Sequence, residues 1–406
     1  TAVFRLGVFE VETQYTFSDS GNLCGTNRLC NLSDRDIFLE RGEWGIAMPF
    51  ADEYPSANIC MTNRCHAHVW CGLEGASYIC CLKMGEEKEN LGILATQGGW
   101  DCYSQEEIAT NNRGCLVVHP DVKILAPKET YVMEYEVFPC AGREEFLRKC
   151  RSYGHFINIE APHYSLFAGE KLQFVIQGEG KDIPEIQVAV NGAIEELSLT
   201  LTQSDKGITV SCIPEKTAEY RFLMRQGEVR TCAVFQVNPR LEDLMKRRVE
   251  FIVKYQQYHK KGSALDGAYL IYDNAENQCY YEFEWPDWNA SRERIGMGIL
   301  IAKYLQIYFD EEIYQSLMQY EAFVRREIYC ETTGQIYDGV GDKERVRLYN
   351  FLWYAIFYME LFYLTKEEKY LADMTRIVNC YYEMGGKHHY PNAVFVSDFL
   401  NVLRET

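Results

Sequence analysis

The chain has 406 residues, 47% of them hydrophobic and 25% charged, with a formal net charge of −18. That length calls for two or three domains with separate cores. The acidic excess is spread along the chain, which argues against nucleic acid or an anionic membrane surface as partner, and no apolar run approaches the roughly 20 residues of a membrane span.

The 16 cysteines lie mostly in apolar runs such as SYICCLKM and TVSCIPEK, where cysteine serves as a small buried hydrophobe. They suit a reducing compartment. With no basic and apolar leader visible in TAVFRLGVFEVE, the expectation is a cytoplasmic protein, a bacterial enzyme by default. The 29 tyrosines and 6 tryptophans fill cores, and they also present flat faces with a polar handle, which suits sugar rings.

Residues 1–155 alternate short β-like runs with turn signals, from FRLGVFEVE through IFLERGEWGIAMPF to TYVMEYEVFP, and predict a large antiparallel β-sandwich. Inside it, CMTNRCHAHVWC at 60–71 crowds three cysteines and two histidines into a stretch that resembles a zinc site. From Cys65 onward, however, Cys65, Ala67, Val69 and Cys71 alternate with His66, His68 and Trp70, the period of a strand. The two sets point to opposite faces and cannot converge on one ion. The chain also holds no C-x-x-C pair, so neither a metal nor another cofactor is expected. His66 and His68 can instead line a groove beside Trp70. A short helix is predicted over 141–154, AGREEFLRKCRSYG.

Residues 156–238 carry six or seven short strand patterns at immunoglobulin-like spacing, without the Cys, Trp, Cys arrangement of antibody domains, and predict a second, smaller β-sandwich acting as a spacer. From Pro239 the pattern turns helical. LEDLMKRRVEFIVKYQQYHKK and DEEIYQSLMQYEAFVRREIYC are apolar on one side, and a third such helix is expected to start with a Thr365 and Glu368 capping box and to stop at Gly385 and Gly386. Between them, RERIGMGILIAKYLQIYF and RVRLYNFLWYAIFYMELFYL are apolar nearly all round and must be buried on every side. One-faced outer helices alternating with buried inner helices predict an (α/α) toroid over 239–406, of about three hairpins. A weak internal repeat agrees: YFDEEIY at 308–314 matches LTKEEKY at 364–370, a spacing of 56, and IYD recurs at 271–273 and 336–338.

In such an array, every loop from an outer helix into the next inner helix opens at one end. Three loops do so here, carrying EFEWPDWN, YDGVGDKER and GGKHHYPNA. They gather the candidates for paired-carboxylate cleavage of a glycosidic bond: Glu284, Asp287, Asp338, Asp342 and Glu344. Asp287 ranks first, because Trp285 and Trp288 form an apolar wall that raises a carboxyl pKa toward the acid role. Asp342 and Glu344 serve equally well as caps of the following helix. The rival chemistry is β-elimination at a uronic acid, with Arg292, Arg294 and Asn350 neutralising the sugar carboxylate and His388, His389 or Tyr390 taking the proton. Tyr337 and Trp353 complete the candidate substrate-binding set.

GEWGIAMPF with CHAHVWCGLEGASY, and RERIGMGI with RVRLYNFLWYA, resemble the sandwich and inner-helix segments of six-hairpin carbohydrate-active enzymes with an N-terminal super-β-sandwich, a glycoside hydrolase-like group to which rhamnose-glucuronate lyases are related. The resemblance implies carbohydrate cleavage on an oligo- or polysaccharide. Paired-carboxylate hydrolysis is the first expectation, with uronate lyase chemistry and noncatalytic sugar binding as alternatives. A terpene cyclase toroid would need an aspartate-rich magnesium motif, which the sequence lacks. A full toroid has twelve helices and this one about six, so the sequence also leads one to expect that the rest of its own chain or another subunit completes the ring.

Overall fold

The computed structural model describes residues 1–48, 56–85, 87–106, 115–177, 184–280, 290–389 and 395–404. Asp287, Glu284, Trp285, Trp288 and Tyr390 lie outside the described residues, as do the side chains of Arg292 and Asp342. The chain divides into two compact units, Thr1–Pro239 and Arg240–Thr406.

The first unit begins with a seven-stranded antiparallel sheet. Its spatial order is Ala2–Leu6, Phe9–Phe17, Leu23–Asn31, Thr130–Cys140, Asn90–Gln97, Ala76–Lys83 and Cys65–Gly72. One face packs on a three-stranded sheet of Ile46–Met48, Cys115–Pro120 and Trp100–Glu106, sharing a core of Ile79, Ile93, Trp100, Val118 and Met133. A short helix α1, Ala57–Asn63, precedes the strand Cys65–Gly72, and α2, Arg143–Arg151, covers the opposite face. Phe146 of α2 stacks on Phe138 at 5.8 Å. Gly92 permits this close docking, since a Cβ there would sit 2.5 Å from the Phe146 ring.

The alternation in CHAHVWC is real. Cys65, Val69 and Cys71 face the core shared with the three-stranded sheet, while Trp70 packs on the other side and His66 and His68 are exposed. All sixteen cysteines are free and half of them are buried, as expected of small core hydrophobes. Burial pushes the Cys80 thiol up to about 12 and the Cys212 thiol to about 11, far from reactive thiolates.

The second β part has nine strands, in a four-stranded and a five-stranded sheet. They face each other over one core, in which the Phe174, Phe222 and Phe235 rings lie 5.0 to 5.5 Å apart. Six or seven strands were expected from the pattern. The extra ones include the three-residue strands Asn158–Glu160, Ser165–Phe167 and Ala193–Glu195, too short to carry a period. Ser165–Phe167 also runs parallel to Val229–Asn238, a long-range pairing that no hairpin signal announces.

The second unit is helical: α3 Leu241–Phe251, α4 Ala290–Ile307, α5 Glu311–Phe323, α6 Leu348–Thr365, α7 Glu368–Glu383 and α8 Val396–Arg404. Helices α4 and α6 lie side by side and parallel. Near their C-terminal ends, Lys303 pairs with Glu360 at 3.0 Å and Gln306 donates to it at 2.8 Å. From Asn350 to Phe362 every residue of α6 is buried except Trp353. Among the described residues no helix is long and apolar enough to cross a membrane.

An internal repeat is explicit in the backbone. Helices α3 and α5 both end in a π-helical turn, at Ile252–Gln256 and Val324–Ile328. Each is followed by a bridge to the returning chain, Gln257 to Tyr269 and Tyr329 to Ile336, and then a short β-hairpin. Each return uses a left-handed glycine pressed on a later helix: Gly267 against the Gln319 carbonyl of α5, Gly334 against that of Arg376 of α7. The helix-side partners of these contacts repeat at 57 residues (376 minus 319), one more than the 56 of the acidic motif, while the glycines lie 67 apart (334 minus 267) because the two return loops differ in length. Acidic residues are chosen for the helix N-terminus, whereas packing residues set the register. The capping box expected at Thr365 is not formed. Thr365 ends α6, its hydroxyl donating to the Leu361 carbonyl, and left-handed Lys366 separates it from α7.

Candidate active site

The hairpin of Tyr337–Gly339 with Asp342–Val346 delivers its residues to the first turn of α6. Asp338, 1% exposed, is the centre of the cluster. The Asn350 amide, equally buried, donates to Asp338 Oδ1 at 3.1 Å. Arg345 Nε lies 3.1 Å from Oδ2 and Arg347 Nη1 3.8 Å from the same oxygen. Both arginine side chains keep 38% of their surface exposed, so the cluster has a buried acidic floor and an open cationic rim. A buried carboxylate of this kind fixes the direction of the groups it holds.

Arg294, in the first half of α4, is buried and lies over the Phe323 ring at the end of α5, 5.8 Å from its centroid. Burial pushes the neighbouring Tyr320 hydroxyl well above its ordinary range, with Tyr354 acting in the same sense and the Arg294 cation against it. Gly298 lets the three helices approach, because a Cβ there would meet the Tyr320 and Phe357 rings within 3 Å.

The third loop reaches the same end. Tyr381 of α7 stands 6.3 Å from the Phe351 ring in the first turn of α6, and edge-on to His389, also at 6.3 Å. Gly386 gives the loop room over Tyr381. His389 is half-buried with its Nδ1 without a hydrogen-bond partner among the described residues, and His388 is exposed. Asp338 and Asn350 therefore meet at the N-terminal end of α6, with the exposed Trp353 ring one turn further along, and His389 is linked to the same turn through Tyr381 and Phe351.

Tyr337 is half-buried beside Cys330, whose sulfur lies 3.3 Å from the Thr332 hydroxyl. Hydrogen bonding from Thr332, then Thr333, pulls this thiol down to about 6. Arg345, Arg347 and Cys330 are absent from the sequence-based candidates. Arg345 and Arg347 carried a signal in RVRLYN, two cations at strand spacing just ahead of Asn350. Cys330 carried none, because its neighbours act through a turn. Glu344 is exposed on the same hairpin, whose strand Asp342–Val346 begins at Asp342. No group of three or more His, Cys, Asp or Glu among the described residues could hold a metal ion.

No family model matches this chain, and no curated protein does. Among solved structures, a polysaccharide lyase superposes with a TM-score of 0.85 and 26% identity, covering 99% of this chain and 60% of its own. The chain thus spans about 60% of the length of that lyase. A family 9 glycoside hydrolase from Bacteroides ovatus and a family 76 glycoside hydrolase from Bacteroides thetaiotaomicron align with a TM-score of only 0.23 each, at 13% and 10% identity, and carry no weight beside it. The fold is that of a carbohydrate-active enzyme.

Proposed function

We propose that this protein cleaves a uronate-containing glycan by β-elimination, with its reaction centre at the N-terminal end of α6. The supporting observation is the cationic rim of Arg345 and Arg347 with Asn350, aligned on buried Asp338, in a chain 26% identical to a polysaccharide lyase. The rim and Asn350 neutralise the sugar carboxylate, which acidifies the C5 proton. His389 takes that proton, the C5–H electron pair forms the C4–C5 double bond, and the bond from C4 to the leaving oxygen breaks, the oxygen keeping the bonding pair and taking a proton from water. Trp353 offers its ring to a neighbouring sugar. Asp338 is a positioning residue, since burial keeps it from the substrate. Of the leading candidates for the first expectation, hydrolysis by paired carboxylates, Asp287 and Glu284 lie outside the described residues, and Asp338 is enclosed.

Incubating the protein with a panel of uronate polysaccharides should raise ultraviolet absorbance from the unsaturated uronate, and Asn350→Ala and Arg345→Gln should abolish that signal. Release of reducing ends without the absorbance would establish hydrolysis instead. Binding without either signal would leave a noncatalytic carbohydrate-binding protein. Completion of the helical array by the rest of the chain or another subunit is part of the same proposal. It is supported by α8, which buries Phe399 and Val402 on one side and exposes Val396, Leu400 and Leu403 on the other.

A further inference from the structure

A second cavity lies in the first unit, at the seam between the seven-stranded sheet and the second β part. It has a volume of about 490 Å³ and is lined by Trp70, Tyr78, Arg143, Tyr164, Gln177 and Lys206 among others. That size lies within the usual range of a small-ligand site. Three aromatic rings form its wall: Trp70 stacks with Tyr78 at 6.5 Å and 11°, and Tyr164 meets Trp70 edge-on at 5.4 Å. Trp70 comes from the CHAHVWC strand, Tyr78 from its hairpin partner and Tyr164 from the second β part, so the wall exists only once both β parts have folded.

The polar rim is asymmetric in charge. Glu160 is occupied, accepting from Gln177 Nε2 at 3.0 Å. Arg143, at the start of α2, and Lys206 form no ion pair with an acidic group among the described residues, and both are exposed. The Arg143 cation acts on His68, Tyr78 and Tyr164 alike, which places it over this aromatic corner. Burial first, then Arg143 and His66, lower the pKa of His68, as expected where positive charge accumulates without an anion.

We propose that this groove is a second saccharide site, built from residues other than those of the Asp338 centre, in which an acidic sugar packs on the partly exposed Trp70 and Tyr164 rings, backed by buried Tyr78, and pairs its carboxylate with Arg143 and Lys206. Flat rings with an adjacent exposed guanidinium match the two faces of a uronate: an apolar ring plane and a planar carboxylate that Arg binds bidentately. The acidity of the ligand rests on the uronate reading of the active site. The groove would hold a glycan chain to the enzyme through residues that take no part in cleavage.

Titration calorimetry of the whole protein with tetragalacturonate, and with a neutral tetrasaccharide as control, tests this. Arg143→Gln and Lys206→Gln should each weaken the groove's binding event about tenfold, leave turnover of a short substrate unchanged, and leave the neutral control unaffected. Saturation with tetragalacturonate should raise the His68 pKa in nuclear magnetic resonance titrations of the wild type but not of Arg143→Gln, an effect no purely structural role of Arg143 produces. The idea fails if both variants bind as wild type does, if the neutral sugar binds equally well, or if all binding vanishes in Asn350→Ala. If no uronate glycan is cleaved but Arg143-dependent binding persists, the lyase proposal falls and the groove stands; cleavage with a single, Asn350-dependent binding event has the reverse meaning.

Discussion

Asp373 of α7 and Asp338 of the hairpin before α6 are both nearly inaccessible, at 2% and 1% exposure, and each stands beside two arginines. Their oxygens are used differently. Asp373 Oδ1 accepts from the Tyr329 hydroxyl and from Arg376, both at 2.9 Å, and Oδ2 accepts from Arg325 at 2.6 Å. Asp338 accepts one hydrogen bond, from Asn350, and Oδ2 accepts none among the described residues although Arg345 Nε lies 3.1 Å away. The saturated cluster clamps α7 onto the π-helical end of α5, the place that Ser316 and Gln257 serve one repeat earlier. The unsaturated one stands where the repeat opens to solvent. A carboxylate with both oxygens hydrogen-bonded is committed to structure, whereas one that leaves its arginines partly exposed can direct them toward a ligand.

The sharpest way to break this comparison is to remove each carboxylate in turn. Asp373→Ala removes one of the carboxylates that Arg325 pairs with, Glu321 remaining, and takes the acceptor from the Tyr329 hydroxyl; it should cost about 3 kcal/mol in chemical denaturation, with any activity loss tracking the unfolded fraction. Asp338→Asn keeps the shape and should lower kcat/KM about 100-fold while stability changes by less than about 1.5 kcal/mol. If the two substitutions exchanged their effects, the assignment of clamp and site would be reversed.

Gly334→Ala probes the clamp from its other side. Its φ of +81° and the Arg376 carbonyl 2.4 Å from any Cβ should make it cost about 1–3 kcal/mol in the same denaturation experiment, with kcat/KM of the folded enzyme retained. Cys330 lies in sequence between Tyr329 of the clamp and Tyr337 beside the site, and gives the mildest test. Its alkylation rate should reach half its maximum near pH 6, well below the buried cysteines, and mass spectrometry of the labelled peptide would show it. Because the folded chain favours the thiolate, the associated stability is full above the ordinary thiol range and is lost as pH falls through about 6. Thr332→Val should move that midpoint upward.

How far the sequence went differs between the two sites. Asp338, Asn350 and His389 stood out because each lies in, or just after, one of the loops expected to open at one end of the helical array. The roles did not stand out. Nothing in YDG distinguishes Asp338 from Asp273 in the earlier IYD, yet Asp273 accepts from the Ala275 and Glu276 backbone N–H groups in a local turn, while Asp338 turns inward to Asn350. Likewise the alternation in CHAHVWC was legible as a strand, but that Trp70 would meet Tyr164, ninety-four residues away (164 minus 70), was not.

Local pattern by itself determined the strand alternation, the change from β to helix at Pro239 and the buried character of α6, because each follows from period and composition within a few turns of chain; α4, expected to be buried on every side, instead keeps an exposed stripe through Gly296, Lys303 and Ile307. Tertiary structure alone decided which carboxylate was saturated, which arginines formed the rim and which rings walled the second groove. Those outcomes depend on contacts between segments distant in sequence, where distances of a few tenths of an ångström choose between a clamp and a site.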